Sequence, residues 1–167
     1  YTWGFNGQGQ LGTNDTLNRS SPVQIFTGTM TSPLIPLRLD SVKNSSFIQV
    51  QSGQAATVLA VDNTLFTWGT GTTGQLGTGS TVVRSSPVLV GSQAQTYNAS
   101  PSQVGVSWNL VDSGYSHVLA TDSTNKLYGW GASVANGDSV NRSSPIQIAT
   151  SSFTAVAAGN NISGAID

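Results

Sequence analysis

One heptad, written three times, constrains this chain more than any other feature. RSSPVQI occupies residues 19–25, RSSPVLV residues 84–90 and RSSPIQI residues 142–148. A Trp-Gly pair stands ahead of each copy, at Trp3, Trp68 and Trp130. Trp3 to Pro22 and Trp68 to Pro87 are both 19 residues, and Trp130 to Pro145 is 15. Self-similarity at a fixed period means one supersecondary unit repeated, each copy burying its apolar face against the next. A chain built this way is a single array over residues 1–167, with units opening near Trp3, Trp68 and Trp130.

Aligned on Trp-Gly, unit one reads WGFNGQGQLGTNDTLNRSSPVQI and unit two WGTGTTGQLGTGSTVVRSSPVLV. Unit three, WGASVANGDSVNRSSPIQI, lacks the Gly-Gln-Leu-Gly step. Counted back from the prolines, Asn14, Gly79 and Gly137 coincide. Gly and Asn enter left-handed backbone most easily, so a shared tight turn is expected there. A second landmark precedes each Trp-Gly, as VQSGQAATVLAVDNTLFTWG from Val50 and VDSGYSHVLATDSTNKLYGWG from Val111. Apolar runs flanking an Asp-containing polar turn predict a β-hairpin. No segment sustains a helical period, so the chain is expected to be all-β. A third copy, VAAGNNISGAID, runs to Asp167, which matches Asp62 and Asp122, while Tyr1 matches Phe66 and Tyr128. The start within Tyr1-Thr2-Trp3-Gly4 reads as a processed or truncated end, and the chain as one stretch of a longer array or a ring.

Taken together, Gly-x-x-His or its relic, the hairpin, aromatic-x-Trp-Gly, Gly-Gln-Leu-Gly and a Pro followed by β-branched residues resemble the repeat of the regulator of chromosome condensation family. The segments WGTGTTGQLGTG and SGYSHVLAT carry the likeness, which covers essentially the whole chain. It implies a β-propeller of four-stranded antiparallel blades, here a partial propeller or a segment of a larger ring of seven blades or so. The family His stands only at His117, and the resemblance implies a structural role for it, hydrogen-bonded within its blade. Long insertions, 26–46 and 91–107, separate the heptad from the next glycine landmark in units one and two. Insertions in repeat units map to loops and carry function more often than the framework does.

Composition narrows the function. The formal net charge is −1 and only 8% of residues are charged, with no Glu and no Lys/Arg run, so nothing marks a nucleic-acid surface. The exchange-factor and chromatin role that the resemblance also implies is therefore disfavoured. There is no Cys, a single His and no clustered Asp loop, which argues against a metal site; no cofactor is expected either. The Gly-rich stretch 69–79 is followed by no Lys and no predicted helix, so it is not a phosphate loop. No apolar run is long enough to span a bilayer.

Several residues remain as candidates. Arg19, Arg84 and Arg142 hold equivalent places and are expected to cap their own loops by bonding backbone carbonyls. The three repeat tryptophans and Trp108 are expected in the core or between blades. Met30, Leu34, Ile35 and Arg38 in the first insertion form a candidate partner-binding loop. Asn14, Asn18, Asn44, Asn141 and Asn161 open glycosylation sequons, whereas Asn98, followed by Ala-Ser-Pro, is a poor acceptor. No residue pattern points to catalysis. The reading favoured by the low charge and Ser/Thr/Asn richness is a non-enzymatic structural or adhesive propeller module of an extracellular, surface, filament or virion assembly. Its partners would be proteins, through self-association or neighbouring propeller segments, with glycans as a further class. The alternative is a propeller that recognises or inhibits a partner protein.

Overall fold

A computed structural model of the chain describes residues 1–25, 47–60, 63, 65–90, 107–134 and 137–167. Among these residues every regular element is a strand. No helix among the described residues is long and apolar enough to cross a membrane.

The repeat resolves into blades. Strands β3 (Phe47–Ser52), β4 (Ala55–Ala60), β5 (Leu65–Gly69) and β6 (Arg84–Leu89) form one antiparallel sheet in that order. Strands β7 (Trp108–Ser113), β8 (His117–Asp122), β9 (Leu127–Gly131) and β10 (Arg142–Ala149) form a second with the same order. Each end carries half a blade. Among the described strands β1 (Thr2–Gly4) pairs only with β2 (Arg19–Val23), the counterparts of the third and fourth strands. β11 (Ala155–Ala158) pairs with β12 (Ser163–Ile166), the counterparts of the first and second.

The expected hairpins form. Asn63 and Asn125 sit at φ 62° and 63° in the turns between second and third strands. The predicted left-handed turn recurs in all three units, at Asn14, Gly79 and Gly137. The heptad is strand from its first residue: β2, β6 and β10 all begin at its Arg, so the Pro lies inside the strand. This is possible because the fourth strand is an outer edge, where a missing N–H breaks no ladder. Register slips between Thr67 and Gly69 in one blade and between Arg142 and Ile146 in the other, at the Ser-Ser-Pro step.

The core lies within the blades and between them. Leu65, Val90, Trp108, Val111, Val118, Ala120 and Trp130 form one buried cluster. Trp108 is in the core as expected, its ring edge-on to Tyr128 and tilted against Trp130, each at a 5.5 Å centroid distance.

Candidate functional site: the seams between blades and the faces they fix

Each Gly-Gln-Leu-Gly turn holds the blade that follows it. The turn closes itself first: Gly9 N–H donates to Asn6 C=O and Gly12 N–H to Gly9 C=O, and the same pair of bonds joins Gly74 to Gly71 and Gly77 to Gly74. The glutamine is chosen for its reach. Gln10 Oε1 accepts the Gln8 amide at 2.8 Å, and Gln75 Oε1 accepts the Thr73 amide at 2.9 Å. The leucine, Leu11 or Leu76, is buried beneath. With the turn rigid, its backbone meets the next Trp. Trp68 Nε1–H donates to the Gln10 carbonyl at 2.8 Å, and Trp130 Nε1–H donates to the Gln75 carbonyl at 3.0 Å. A Cβ on Gly12 would come within 2.8 Å of Trp68 Nε1, and one on Gly77 within 2.8 Å of Trp130 Nε1. The second glycine is needed because the indole lies where a side chain would be. The rim closes with Asn14 N–H to Ser85 C=O at 2.8 Å and Gly79 N–H to Ser143 C=O at 2.7 Å, so the heptad strand of one blade receives the turn of the one before.

A second seam runs along the inner strands. Gly53 would carry a Cβ 2.2 Å from the Gly114 oxygen, and Gly114 one 2.2 Å from the Gly159 oxygen, so the three first-hairpin loops stack backbone on backbone. Gln49 Nε2 donates to Val111 C=O at 2.6 Å, and Ala158 N–H donates to Asp112 Oδ2 at 2.8 Å. His117 acts here. Its Nε2 lies 3.0 Å from Ser163 Oγ in the next half-blade, so it joins two blades instead of bonding within its own. Burial pulls the imidazole below its ordinary value of 6.5, with the Asp112 charge opposing that shift. Asp112, whose charge acts on His117, accepts the Ser113 and Ala158 amides through its two oxygens.

Two of the three repeated arginines turn to carboxylates, not to the carbonyls expected. Arg19 Nη2 donates to Asp15 Oδ2 at 2.5 Å and Arg142 Nη2 to Asp138 Oδ2 at 2.6 Å, both four residues back in the same loop. Unit two has Ser80 at that place, so Arg84 lacks this partner and is exposed. Asp15 is held below the usual carboxylate range, first by the Leu17 amide and then by Thr13 and Arg19. Met30, Leu34, Ile35, Arg38 and Asn44 lie outside the described residues, as do 91–106 of the second insertion and Asn98. Asn14, Asn18, Asn141 and Asn161 are exposed. Asn14 Oδ1 accepts Ser86 Oγ at 2.8 Å, and Asn18 Oδ1 accepts the Asn6 amide at 2.8 Å, so both are also structural. Among the described residues no group of three or more His, Cys, Asp or Glu could hold a metal.

The seams fix two faces. One carries the first-hairpin loops and the loops that follow the third strands, tied together where Thr70 N–H donates to Gln54 C=O and Ala132 N–H to Ser116 C=O. The other carries the Asn63 and Asn125 turns. Asp122 caps the second of these: burial pushes its carboxyl up, but hydrogen bonds from Thr124, Lys126 and Tyr128 outweigh this and lower it. The strand ends flanking both insertions lie on this second face, where Trp108 N–H donates to Asn63 C=O at 2.9 Å and Ser123 N–H to Ser107 C=O at 2.7 Å.

The family model of the regulator of chromosome condensation (RCC1) repeat matches residues 1–60 and 62–121. The chain belongs to the RCC1 repeat family. It is 30% identical over 150 residues to the ultraviolet-B receptor UVR8 of Arabidopsis thaliana, covering 87% of this chain and 29% of that protein. It is 32% identical over 108 residues to the probable E3 ubiquitin-protein ligase HERC4 of Mus musculus, covering 63% of this chain and 9% of that one. It therefore spans less than a third of these relatives. The crystal structure of Prp20p from Saccharomyces cerevisiae superposes with a TM-score of 0.73 at 17% identity, over 98% of this chain and 39% of Prp20p. That likeness shows the fold, and the RCC1 repeats here form propeller blades.

The exposure of Trp3 is what repeat reasoning missed. Trp68 and Trp130 are fully buried, but Trp3 is 61% exposed. Its strand β1 has no inner neighbour among the described strands, and no turn lies on its indole.

Proposed function

We propose that this chain is a non-enzymatic, protein-binding RCC1-type propeller segment that recognises a partner protein on the face from which its two insertions emerge. The observation that carries this reading is the shared exit. Both insertions leave an outer strand and return to an inner strand beside the Asn63 and Asn125 hairpin tips, over seams held by buried Trp and stacked glycine loops. A rigid framework lowers the ordering cost of loops that it presents together. Family relatives support the class. Prp20p was described with its binding to Gsp1p and histones, and the yeast RCC1 protein Prp20 was crystallised bound to Kap60. Met30, Leu34, Ile35 and Arg38 are the residues assigned to contact, three apolar and one cationic.

The test is a paired substitution, Leu34→Ala with Ile35→Ala, followed by partner co-purification and melting. Loss of a partner at unchanged melting temperature supports recognition by this loop. A lowered melting temperature with the partner retained means that the loop packs on its own blade and overturns it.

An extracellular or surface location is the second half of the reading, supported by the low charge and by four exposed sequons. The mass of the native chain before and after N-glycan removal tests it. A drop in mass supports a secretory route, and an unchanged mass removes the sequons from the argument.

A further inference from the structure

The loop that leads into the fourth strand is built three times, and its middle copy lacks one group that the other two contain. Asn14, Gly79 and Gly137 turn it at φ 62°, 76° and 90°. The next residue is Asp15, Ser80 or Asp138, and the heptad arginine follows four residues later. In unit one, Asp15 Oδ1 accepts the Leu17 amide at 3.0 Å and the Thr13 hydroxyl at 2.9 Å, while Oδ2 takes Arg19. In unit three, Asp138 Oδ1 accepts the Val140 amide at 2.9 Å and Oδ2 takes Arg142 at 2.6 Å. An acid at this place therefore has a fixed donor set: the amide two residues on and the guanidinium four residues on.

Unit two has the donors and lacks the acid. Its Val82 amide and Arg84 guanidinium make no hydrogen bond or ion pair among the described residues, and both residues are exposed. Ser80 Oγ lies 3.2 Å from Thr78 Oγ1, which repeats the contact of Asp15 Oδ1 with Thr13. The hydroxyl thus stands where a carboxylate oxygen stands in unit one, with Gly79, Thr81 and Val82 around it open to solvent. The hydroxyls one residue on, Thr16, Thr81 and Ser139, have no acidic counterpart in any unit. A bare serine brings no charge to the site. A phosphorylated one brings roughly −1.5 to −2 and three acceptor oxygens, and charge-assisted bonds to a guanidinium are the strong ones.

We propose that Ser80 is a phosphorylation site whose phosphate is received by the Val82 amide and the Arg84 guanidinium, as Asp15 and Asp138 are received in their own loops. Ser80 Oγ attacks the terminal phosphorus of a nucleoside triphosphate held by a protein kinase. The Oγ–P bond forms as the bond from that phosphorus to its bridging oxygen breaks. The nucleoside diphosphate leaves, and the hydroxyl proton passes to a base on the kinase. Because Gly79 N–H is bonded to Ser143 C=O, the added charge arrives at the seam with the next blade. The loop precedes the start of β6 and the second insertion follows the end of that strand, so this site does not depend on the insertion face.

Two measurements test the assignment. Native protein is isolated with phosphatase inhibitors, and the peptide spanning residues 78–84 is sequenced by tandem mass spectrometry. Phosphate on Ser80 is expected, and a Ser80 that carries none overturns the proposal, whatever other residues carry. The full chain with phosphoserine installed at position 80 is then followed by nitrogen and phosphorus resonance. The Val82 amide should move toward the shifts of Leu17 and Val140, and the Arg84 Nε–H toward those of Arg19 and Arg142. The second phosphate ionisation should fall below the value of about 6 usual for phosphoserine, and Arg84→Gln should return it there. An ionisation that Arg84→Gln leaves unchanged, with the Val82 amide unmoved, overturns the proposed donor set. Should the phosphorylated chain not fold, Ser80→Asp is read by the same two resonances: their movement supports the proposal, and unmoved resonances overturn it.

Discussion

Trp68 and Trp3 stand at the same place in the same repeat and live in opposite surroundings. Trp68 is fully buried, paired on both sides of its strand and hydrogen-bonded to Gln10; Trp3 has one strand neighbour among the described strands and is 61% exposed. The aromatic-x-Trp-Gly sequence is common to both, so it does not by itself bury the ring. Burial comes from the preceding unit. A repeat in this family is therefore incomplete by construction: each unit supplies the turn that its successor's tryptophan requires.

Breaking the covered site should have the largest effect. Trp130→Ala removes a buried ring packed against Trp108 and should cost about 3–5 kcal/mol. Trp3→Ala should cost less than about 0.5 kcal/mol, as exposed substitutions do. Urea unfolding of the two variants checks the contrast, and a similar loss for both would contradict it. Next comes the turn. Gly77→Ala places a methyl against Trp130 Nε1 at φ +64° and should cost about 1–3 kcal/mol. Gly137→Ala, at φ +90° with open space around it, should cost only the backbone strain of about 1–2 kcal/mol.

The inner seam predicts a pH dependence. His117 is lowered in the folded chain, so the unfolded chain binds its proton first as pH falls. Stability is full above the unfolded value, declines as pH drops through about 6.5 and levels off below the folded value. His117→Gln should remove that decline between neutral pH and the carboxylate range, as read by melting temperature against pH. Asp15 and Asp122, both lowered, contribute above their ordinary 3.8 and lose that contribution as pH falls through their folded values. The smallest effect belongs to the arginines: Asp138→Asn should change stability by less than about 1 kcal/mol, because the Arg142 pair is solvent-exposed. Arg84→Ala, with Ser80 in place of the acid, should have less effect still.

The blade was legible because its signals are local. Asn63 and Asn125 mark turns by their own backbone preference, and strand boundaries follow from apolar runs next to them. The strand start at the Arg-Ser-Ser-Pro step was not legible in the heptad itself. A proline inside a strand is tolerated only at an outer edge, and edge position is a property of the whole sheet. The partners of Arg19 and Arg142 were equally in view, four residues back in each loop, but unit two breaks the pattern with Ser80 and masked it. His117 was placed in the framework correctly and given the wrong neighbour. Its partner Ser163 lies 46 residues away in the next half-blade, a distance that no local pattern encodes. The resemblance to the RCC1 repeat supplied the propeller, which the spacing alone did not.

Hydrogen exchange of the tryptophan indole N–H groups tests the central claim most directly. In a polypeptide of residues 1–167 alone, the account predicts slow exchange at Trp68 and Trp130, whose donors are seated on the Gln10 and Gln75 carbonyls, and exchange near the solvent rate at Trp3. Protection at Trp3 equal to that of the other two, or fast exchange at Trp68 or Trp130 under native conditions, would contradict the claim that each unit's turn buries the tryptophan of the next.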